Sequence, residues 1–171
     1  FPVDRVRQLH ARLAEFYVRN QQWDDAIHHL VEAAEYQRAS ELIASLTKSA
    51  ISANNLETVA RWIDAFPPEE RDRRPWLLLY RGVIHRVARD WDTALELYNR
   101  AANLFREQDD REGLARTLWY SSQVLAYRRN QRLAMAVADQ ALAHLPPSDL
   151  VARGWVLHNM GNCYFELGQT E

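Results

Sequence analysis

The sequence predicts an all-α fold in which antiparallel helix pairs stack into a right-handed superhelix of about nine helices. Only five glycines and six prolines occur among 171 residues, which favours helix throughout. No run of alternating β-branched residues is long enough to predict a strand. A stripe of alternating large and small residues recurs at helical spacing along the chain. Residues 1–171 are therefore predicted to form a single helical repeat domain.

The predicted helices are placed by this periodicity and by residues that start or stop helices. Pro67 and Pro68 end one helix, and Pro75 suits the first turn of the next. Asn and Gln in the segments 20–24, 53–56 and 129–132 are typical of tight turns between helices. The predicted helices span 4–20, 23–35, 37–53, 56–66, 75–89, 91–107, 111–129, 131–144 and 149–168.

Several polar residues are predicted to cap these helices. Either Asp109 or Asp110 suits the N-cap of the helix at 111–129, and Ser148 suits that of the last helix. Asp24 and Asp25 could be interpreted as a carboxylate pair for acid–base chemistry, as could the aspartates at 109 and 110. Their positions at helix starts favour capping, because a carboxylate is stabilised beside the first turn of a helix.

The recurrent stripe is clearest where Trp91, Ala94, Tyr98 and Ala101 fall on one helical face. Small residues let two helices approach closely, and the large residues between them fill the remaining space. The same spacing predicts a stripe in three other helices. In the helix at 23–35 the stripe is Trp23, Ala26, Leu30 and Ala33, in the helix at 56–66 it is Leu56, Val59, Ile63 and Phe66, and in the helix at 131–144 it is Leu133, Ala136, Gln140 and Ala143.

A second block precedes each stripe and has a small residue at its centre. Ala14, Gly82 and Gly161 are predicted to lie where the first helix of a pair touches the second. The central positions 14, 47, 82, 124 and 161 are separated by 33, 35, 42 and 37 residues. The two blocks resemble the tetratricopeptide consensus, W-x2-L-G-x2-Y followed by A-x3-F-x2-A, although a strict array repeats every 34 residues or so.

The chain has little that predicts catalysis or metal binding. It lacks a G-x-x-x-x-G-K-[ST] phosphate-binding loop, a G-x-G-x-x-G segment and an H-E-x-x-H zinc motif. His28 and Glu32 lie one turn apart and could supply two metal ligands, but a structural zinc site needs four. Ser121, Ser122 and His158 have no evident partner acid. We therefore predict no enzyme activity, no catalytic residue, no metal site and no cofactor in these residues.

Composition restricts the class of protein further. The net charge of −2 gives no general attraction to nucleic acid. A single cysteine, Cys163, excludes an internal disulfide and is expected to be a buried packing residue. The longest apolar run, 76–80, is too short to cross a bilayer. No membrane partner is expected, and a cytoplasmic location is favoured.

Stacked helix pairs form a concave face from the first helix of each pair, and this face is predicted to bind ligand. Aromatic residues and arginines there suit a polar ligand with planar or anionic features, or an acidic peptide. The alternative is that Trp76 and Trp155 pack between repeats while the arginines are solvated surface. The candidate ligand-binding residues are Trp76, Arg86, Ser121, Arg128, Arg129, Trp155, His158 and Asn162, and the same spacing also selects Phe165 and Glu166.

The first half of the chain resembles a family. The segment "LHARLAEFYVRNQQWDDAIHHLVEAAEYQRASELI" (9–43) is similar to L-H-x-R-A-A-x-W-Y-x-x-x-G-x-x-x-x-A-I-x-H-A-L-x-A-x-D-x-x-x-A-A-x-L of the large ATP-dependent LuxR-type transcriptional regulators, the MalT-like group. The segment "LETVARWIDAFPPEERDRRPWLLLYRGVI" (56–84) resembles the next stretch of that family. The matching residues are Leu9, His10, Tyr17, Ala26, Ile27, His29, Ala33, Ala39, Leu42, Trp62, Ala65, Pro67, Arg74, Pro75 and Leu77. Phe16, Asn20, Glu35 and Tyr36 depart from the pattern, and residues 85–171 match only as generic repeats.

The resemblance implies the sensor region of a bacterial signal-responsive regulator. Such a region binds an inducer small molecule or a regulatory protein or peptide, and it can self-associate through the superhelix. ATP or ADP and DNA would be bound by other domains of the parent chain. We expect this chain to be a piece of such a parent, because it stops where the second helix of a fifth pair is expected.

Two other hypotheses remain open from the sequence. One is a plain tetratricopeptide scaffold that binds a partner protein without any small-molecule effector. The other is an accessory repeat region of a serine/threonine kinase or of an AAA-type ATPase. The flanking motifs differ among the three, since only the regulator requires a phosphate-binding loop upstream and a helix-turn-helix downstream.

Overall fold

The computed structural model describes residues 2–50 and 56–168 of the chain. Within these ranges the backbone forms ten α-helices and no strand, which confirms the all-α prediction. None of the helices in these ranges is long and apolar enough to cross a membrane. The helices are α1 (Val3–Arg19), α2 (Trp23–Glu32), α3 (Tyr36–Ala50), α4 (Leu56–Asp64), α5 (Pro68–Asp72), α6 (Pro75–Val87), α7 (Trp91–Glu107), α8 (Arg111–Tyr127), α9 (Gln131–His144) and α10 (Leu150–Gly168).

The short helix α5 lies where the sequence predicted only a loop. Pro68 occupies its first turn, where a proline needs no amide hydrogen and its fixed φ suits the helix. Glu69 and Glu70 follow in the same turn, a position that favours acidic side chains. Arg74 then donates to a carboxylate oxygen of Glu70 at 2.7 Å. The proline pair was interpreted as a stop signal alone, whereas its second member also starts a helix.

Within the described residues, five helix ends share one turn geometry, which is built on a residue with positive φ that is not glycine. Gln21 has φ 57°, and Arg129 has φ 61°. The amide of the following residue then donates to the carbonyl five residues back, as Gln22 does to Tyr17 at 3.0 Å. This is the hydrogen bond of a Schellman motif. The turns predicted at 20–24 and 129–132 are confirmed, whereas 53–56 includes residues outside those described, and the remaining positive-φ residues are Ala34, Arg89 and Asp109.

The structure settles which residues cap two of the later helices. Asp110 caps α8 by accepting a hydrogen bond from the Gly113 amide at 2.8 Å. The prediction for Ser148 was wrong, because Asp149 accepts from the Ala152 amide at 3.0 Å and so occupies the capping position of α10. An aspartate directly before the helix lies one residue closer to the exposed amides than the serine does.

The capping prediction for the aspartates of α2 was also wrong. Asp24 and Asp25 lie in the first turn, but Gln22 occupies the N-cap and makes no side-chain capping bond. Asp24 instead accepts a hydrogen bond from the indole nitrogen of Trp62 at 2.7 Å. This carboxylate therefore joins two helices and does not cap one.

The chain divides into two compact units, of which the first is Phe1–Leu77. Here α2 packs against α1, α3 and α4. The small residues Ala14 and Ala26 are fully buried, as the close-contact prediction requires. Other buried apolar side chains of this core include Ile27, Leu30, Ala39, Ile43, Val59, Ile63 and Phe66.

The second unit, Leu78–Glu171, shows how small and large residues fit together. Gly82 lies against the ring of Tyr98, and a Cβ added to this glycine would come within 2.4 Å of a ring carbon. Gly113 lies against the ring of Phe105, and a Cβ added to it would come within 2.3 Å of a ring carbon. The predicted contact at Gly82 is therefore confirmed, and no larger residue fits at either position.

The predicted stripe is correct for α7 but has the wrong register in α9. In α7 the residues Ala94, Tyr98 and Ala101 are fully buried, as predicted. In α9 the predicted Leu133, Ala136, Gln140 and Ala143 are all exposed. Because α9 is rich in alanine, more than one of its faces carries small residues. Which face is buried depends on where the helix starts, and it starts directly after Asn130. The buried stripe of α9 is Gln131, Ala134, Ala138 and Ala141.

The second unit is arranged around α8, which packs against α7, α9 and α10. The buried side chains of α10 are Val156, Met160 and Cys163. A Cβ added to Gly161 meets no atom of the described residues within 4 Å. The helix that Gly161 was predicted to contact lies outside the described residues. Leu157 and Tyr164, on the same side of α10, are also exposed.

Candidate functional site

A cavity of about 380 Å³ opens between α8 and α10 in the second unit, and we call it the α8–α10 groove. The two helices are the first members of successive predicted pairs, and such helices were expected from the sequence to form a ligand-binding face. Their register is fixed nearby by Asn159, whose amide donates to the Ser122 hydroxyl at 3.1 Å. The groove is lined by Gln123, Ala126, Tyr127, Arg129, Asn159, Asn162, Cys163, Phe165 and Glu166.

The polar part of the lining is rich in primary amides and balanced in charge. Gln123, Asn159 and Asn162 each present an amide that can both donate and accept hydrogen bonds. The only charged residues of the lining are Arg129 and Glu166, whose side chains approach to 3.7 Å. Both are largely solvent-exposed, so this ion pair contributes little to stability. The groove therefore offers neutral hydrogen-bonding groups without a net electrostatic preference.

Two aromatic rings form the apolar part of the lining. Tyr127 is 63% exposed, and its ring stacks on Trp91 with centroids 5.5 Å apart and an interplanar angle of 22°. Phe165 is 68% exposed. Exposed aromatic rings beside amides suit a ligand with flat or apolar faces that also carries hydrogen-bonding groups.

Three predicted arginines behave differently in the structure. Arg129 lines the groove, as expected for a ligand-binding residue. Arg128 forms an ion pair with Asp92 of α7. Arg86 is half-buried, donates to the amide oxygen of Gln123 at 3.2 Å and lies 5.4 Å from the Tyr120 ring centroid. It holds a lining residue in place without lining the groove itself.

The remaining predicted residues are also separated by the structure. Asn162 lines the groove. His158 is exposed beside it, with its Nε2 atom 3.3 Å from the side-chain amide nitrogen of Asn162. Ser121 is buried and donates its hydroxyl hydrogen to the Thr117 carbonyl at 2.9 Å, so it does not face a ligand. Trp155 is exposed on α10 outside the groove lining, and Trp76 is half-buried in the first unit.

Several lining residues were not selected as ligand-binding residues by the sequence analysis. Gln123 and Tyr127 belong to the block centred on position 124, where the sequence predicts contact between helices. The polar amide of Gln123 within that block was the available signal. Asn159 had no such signal, since only the contact with α8 places it in the groove.

Cys163 lines the groove but is buried, as predicted. Burial raises the pKa of its thiol, and the neighbouring carboxylate of Glu166 raises it further. A raised pKa disfavours the reactive thiolate, so this cysteine is a packing residue.

A second cavity, of about 710 Å³, lies around the connection from α9 to α10. Its arginines are engaged in closing helix ends, since Arg111 donates to the Ala143 carbonyl and Arg153 to the Leu142 carbonyl, both at 3.1 Å. None of the predicted ligand-binding residues lines it. It is therefore a weaker candidate than the α8–α10 groove.

No protein-family model matches this chain, and a search of curated proteins gives no match. The resemblance to MalT-like regulators therefore stays a prediction from the sequence. The function is inferred from that resemblance together with the residues of the groove.

Proposed function

We propose that this chain is the sensor region of a signal-responsive transcriptional regulator, and that the α8–α10 groove binds its effector. The observation that carries the binding role is the groove itself, with three amides and two exposed rings around a cavity. The regulatory role is supported by the resemblance of residues 9–84 to the MalT-like group. An effector would act by binding one state of the regulator better than the other.

The same proposal includes a right-handed superhelix of tetratricopeptide-like pairs. It is supported by the seating of the Tyr98 ring on Gly82. It is also supported by the contacts of α8 with both the next helix and the next but one, as in stacked helix pairs.

The groove favours a neutral, amide- or hydroxyl-bearing effector over a strongly anionic one. Two of the arginines expected to attract an anion have other partners, since Arg86 contacts Gln123 and Arg128 contacts Asp92. Arg129 is balanced by Glu166. A buried ligand hydroxyl or amide would instead pair with Asn162 and its neighbouring amides, while a flat face would contact Phe165.

A plain interaction scaffold is the second candidate function, and it would use the same groove. The exposed rings of Tyr127 and Phe165 suit a peptide side chain, because aromatic residues are enriched at protein interfaces. The two candidates differ in what the parent chain contains, not in the groove.

The first experiment is to determine the reading frame on both sides of this chain. The regulator proposal expects a phosphate-binding loop upstream, where ATP or ADP would bind, and a helix-turn-helix for DNA downstream. Repeats that continue to a polar cap without either motif would contradict it and leave the scaffold.

The second experiment measures binding to the groove directly. A panel of neutral sugars and a library of short peptides would be screened by thermal shift against the chain. A ligand of the groove should raise the unfolding midpoint of the unmodified chain but not that of Asn162→Ala. It should also raise the midpoint of the control Gln140→Ala, which changes an exposed residue of α9. Binding that survives both Asn162→Ala and Arg129→Ala would show that the groove is not the site.

A further inference from the structure

Three histidines gather at the contact between α1 and α2, away from the α8–α10 groove. The rings of His10 and His29 have centroids 5.0 Å apart, and His28 lies 5.1 Å from His29 and 6.4 Å from His10. The ring of Tyr17 stacks on His29 with centroids 5.2 Å apart and an angle of 24°. This stacking fixes the orientation of one imidazole against α1.

The closest atoms of the cluster are two ring nitrogens that face each other. Nδ1 of His10 and Nδ1 of His29 are 2.8 Å apart in a partly buried setting. One of them must donate a hydrogen and the other accept it, so at least one imidazole is neutral at this nitrogen. The N–H of one ring and the lone pair of the other therefore point at the same place between the two helices.

This separation is close to what a shared metal ion requires. Two imidazole nitrogens bound at about 2.0–2.1 Å to a tetrahedral Zn²⁺ lie roughly 3.3 Å apart, from the ideal tetrahedral angle. Opening the pair by about half an ångström, a small shift of two rings, would make room for a metal ion between the two Nδ1 atoms. The hydrogen that the two nitrogens share would move to Nε2 of its own ring, which leaves both imidazoles neutral and both Nδ1 atoms free to bind the metal.

Two carboxylates lie near the histidine cluster. Asp25 and Glu32 are both on α2 and interact electrostatically with His29. They would offset the charge of a cation bound at the cluster.

We propose that His10 and His29 form a two-ligand site for a divalent transition metal ion, which binds both Nδ1 atoms and links α1 to α2. Imidazole nitrogen suits Zn²⁺, Ni²⁺ and Cu²⁺ among such ions. The described residues contain no group of three or more histidine, cysteine, aspartate or glutamate side chains arranged for a metal. Water therefore completes the coordination, and the ion is exchangeable.

No metal site was predicted from the sequence, and the proposed ligands differ from the one pair of residues considered there. His28 and Glu32 lie one turn apart on a single helix, whereas the proposed ligands come from two helices. An ion bound by them would stabilise only the folded contact between α1 and α2, because the unfolded chain does not hold the two nitrogens together.

The test compares thermal unfolding and calorimetric binding of the chain with ZnCl₂ or NiCl₂ alone. The metal should raise the unfolding midpoint of the unmodified chain by a few degrees. The effect should be lost in His10→Gln and in His29→Gln, with an affinity loss of about tenfold or more. It should persist in His158→Gln, an exposed histidine of the second unit, and in His28→Gln.

A direct measurement covers the case in which a substitution prevents folding. In the unmodified chain, titration with ZnCl₂ should shift the imidazole NMR signals of His10 and His29 before those of the other four histidines. Early shifts at His28 without His10 would overturn the proposal, as would a midpoint increase that survives His10→Gln. No midpoint increase and no early imidazole shifts with either metal would also overturn it.

Discussion

The indole nitrogen of Trp62 donates a hydrogen bond to a carboxylate oxygen of Asp24 across 2.7 Å, and so joins α4 to α2. Trp62 is 8% exposed, whereas Asp24 lies at the surface. Arg61 approaches the same carboxylate at 3.4 Å, but it is too exposed to contribute much. The Trp62–Asp24 hydrogen bond is thus a specific polar contact between α2 and α4, whose buried side chains are otherwise apolar.

Asp24→Ala should lower the free energy of unfolding by about 1–3 kcal/mol, because it leaves a nearly buried indole N–H without its acceptor. Asp24→Asn keeps an oxygen acceptor and should cost less. The measurement is urea unfolding followed by circular dichroism, with Asp25→Ala as the neighbouring control. An equal loss in Asp24→Ala and Asp25→Ala would show that the hydrogen bond is not the cause.

Gly82→Ala should destabilise the chain by about 1–3 kcal/mol, since overpacking forces neighbouring groups to move. The added Cβ would lie 2.4 Å from a carbon of the Tyr98 ring. Gly154→Ala is the matched control in α10, because a Cβ there meets nothing within 4 Å. Alanine is the better helix former, so the control should gain up to about 1 kcal/mol. Thermal unfolding should show a lower midpoint for Gly82→Ala and an unchanged or higher midpoint for Gly154→Ala. A Gly82→Ala variant as stable as the unmodified chain would contradict the close contact.

Ala34→Gly should raise the free energy of unfolding by about 1 kcal/mol, because a left-handed backbone is strained in residues that carry a Cβ. Ala34 has φ 60° in one of the shared helix-end turns. Its neighbour Ala33 has φ −75°, which alanine adopts without strain, so Ala33→Gly should be destabilising. Chemical unfolding of both variants measures the difference, and equal losses would rule out relief of strain.

The carboxylate of Asp90 should make folding depend on pH in the acid range. A hydrogen bond with the Thr93 side chain lowers its pKa below the usual 3.8, and the His85 side chain lowers it further. Because the folded-state pKa lies below the unfolded one, this stabilisation is present above pH 3.8 or so and is lost as pH falls through the folded value. NMR titration of the Asp90 carboxyl in Thr93→Val should show a higher pKa. An unchanged value would rule out that hydrogen bond as the main cause.

The fold was predictable where the periodic signal was unambiguous, and less so elsewhere. In the stripe of α7 the aromatic residues Trp91 and Tyr98 alternate with alanines, which distinguishes one face of the helix from the others. The alanine-rich α9 offers several equivalent faces, and its register depends on where the helix starts. Pro68 likewise permits a helix stop or a helix start, and only the structure distinguishes them.

The candidate site was only partly predictable, because long side chains reach partners that lie far away in the sequence. Arg129 and Asn162 could be placed in the groove from their positions on two helices. Arg86 and Arg128 hold similar positions, but their guanidinium groups extend to Gln123 and Asp92, 37 and 36 residues away. No local pattern contains these contacts, which depend on how neighbouring helices pack.

Cys163 gives the molecule a built-in reporter of its own motion. It is the single cysteine of the chain, it is buried, and it lines the α8–α10 groove. A thiol reagent therefore reacts when the packing of α10 around Cys163 opens, so the rate of labelling measures how often this packing opens. A molecule that occupies the groove and holds the helices together would slow the reaction, so its binding could be followed without any substitution in the chain.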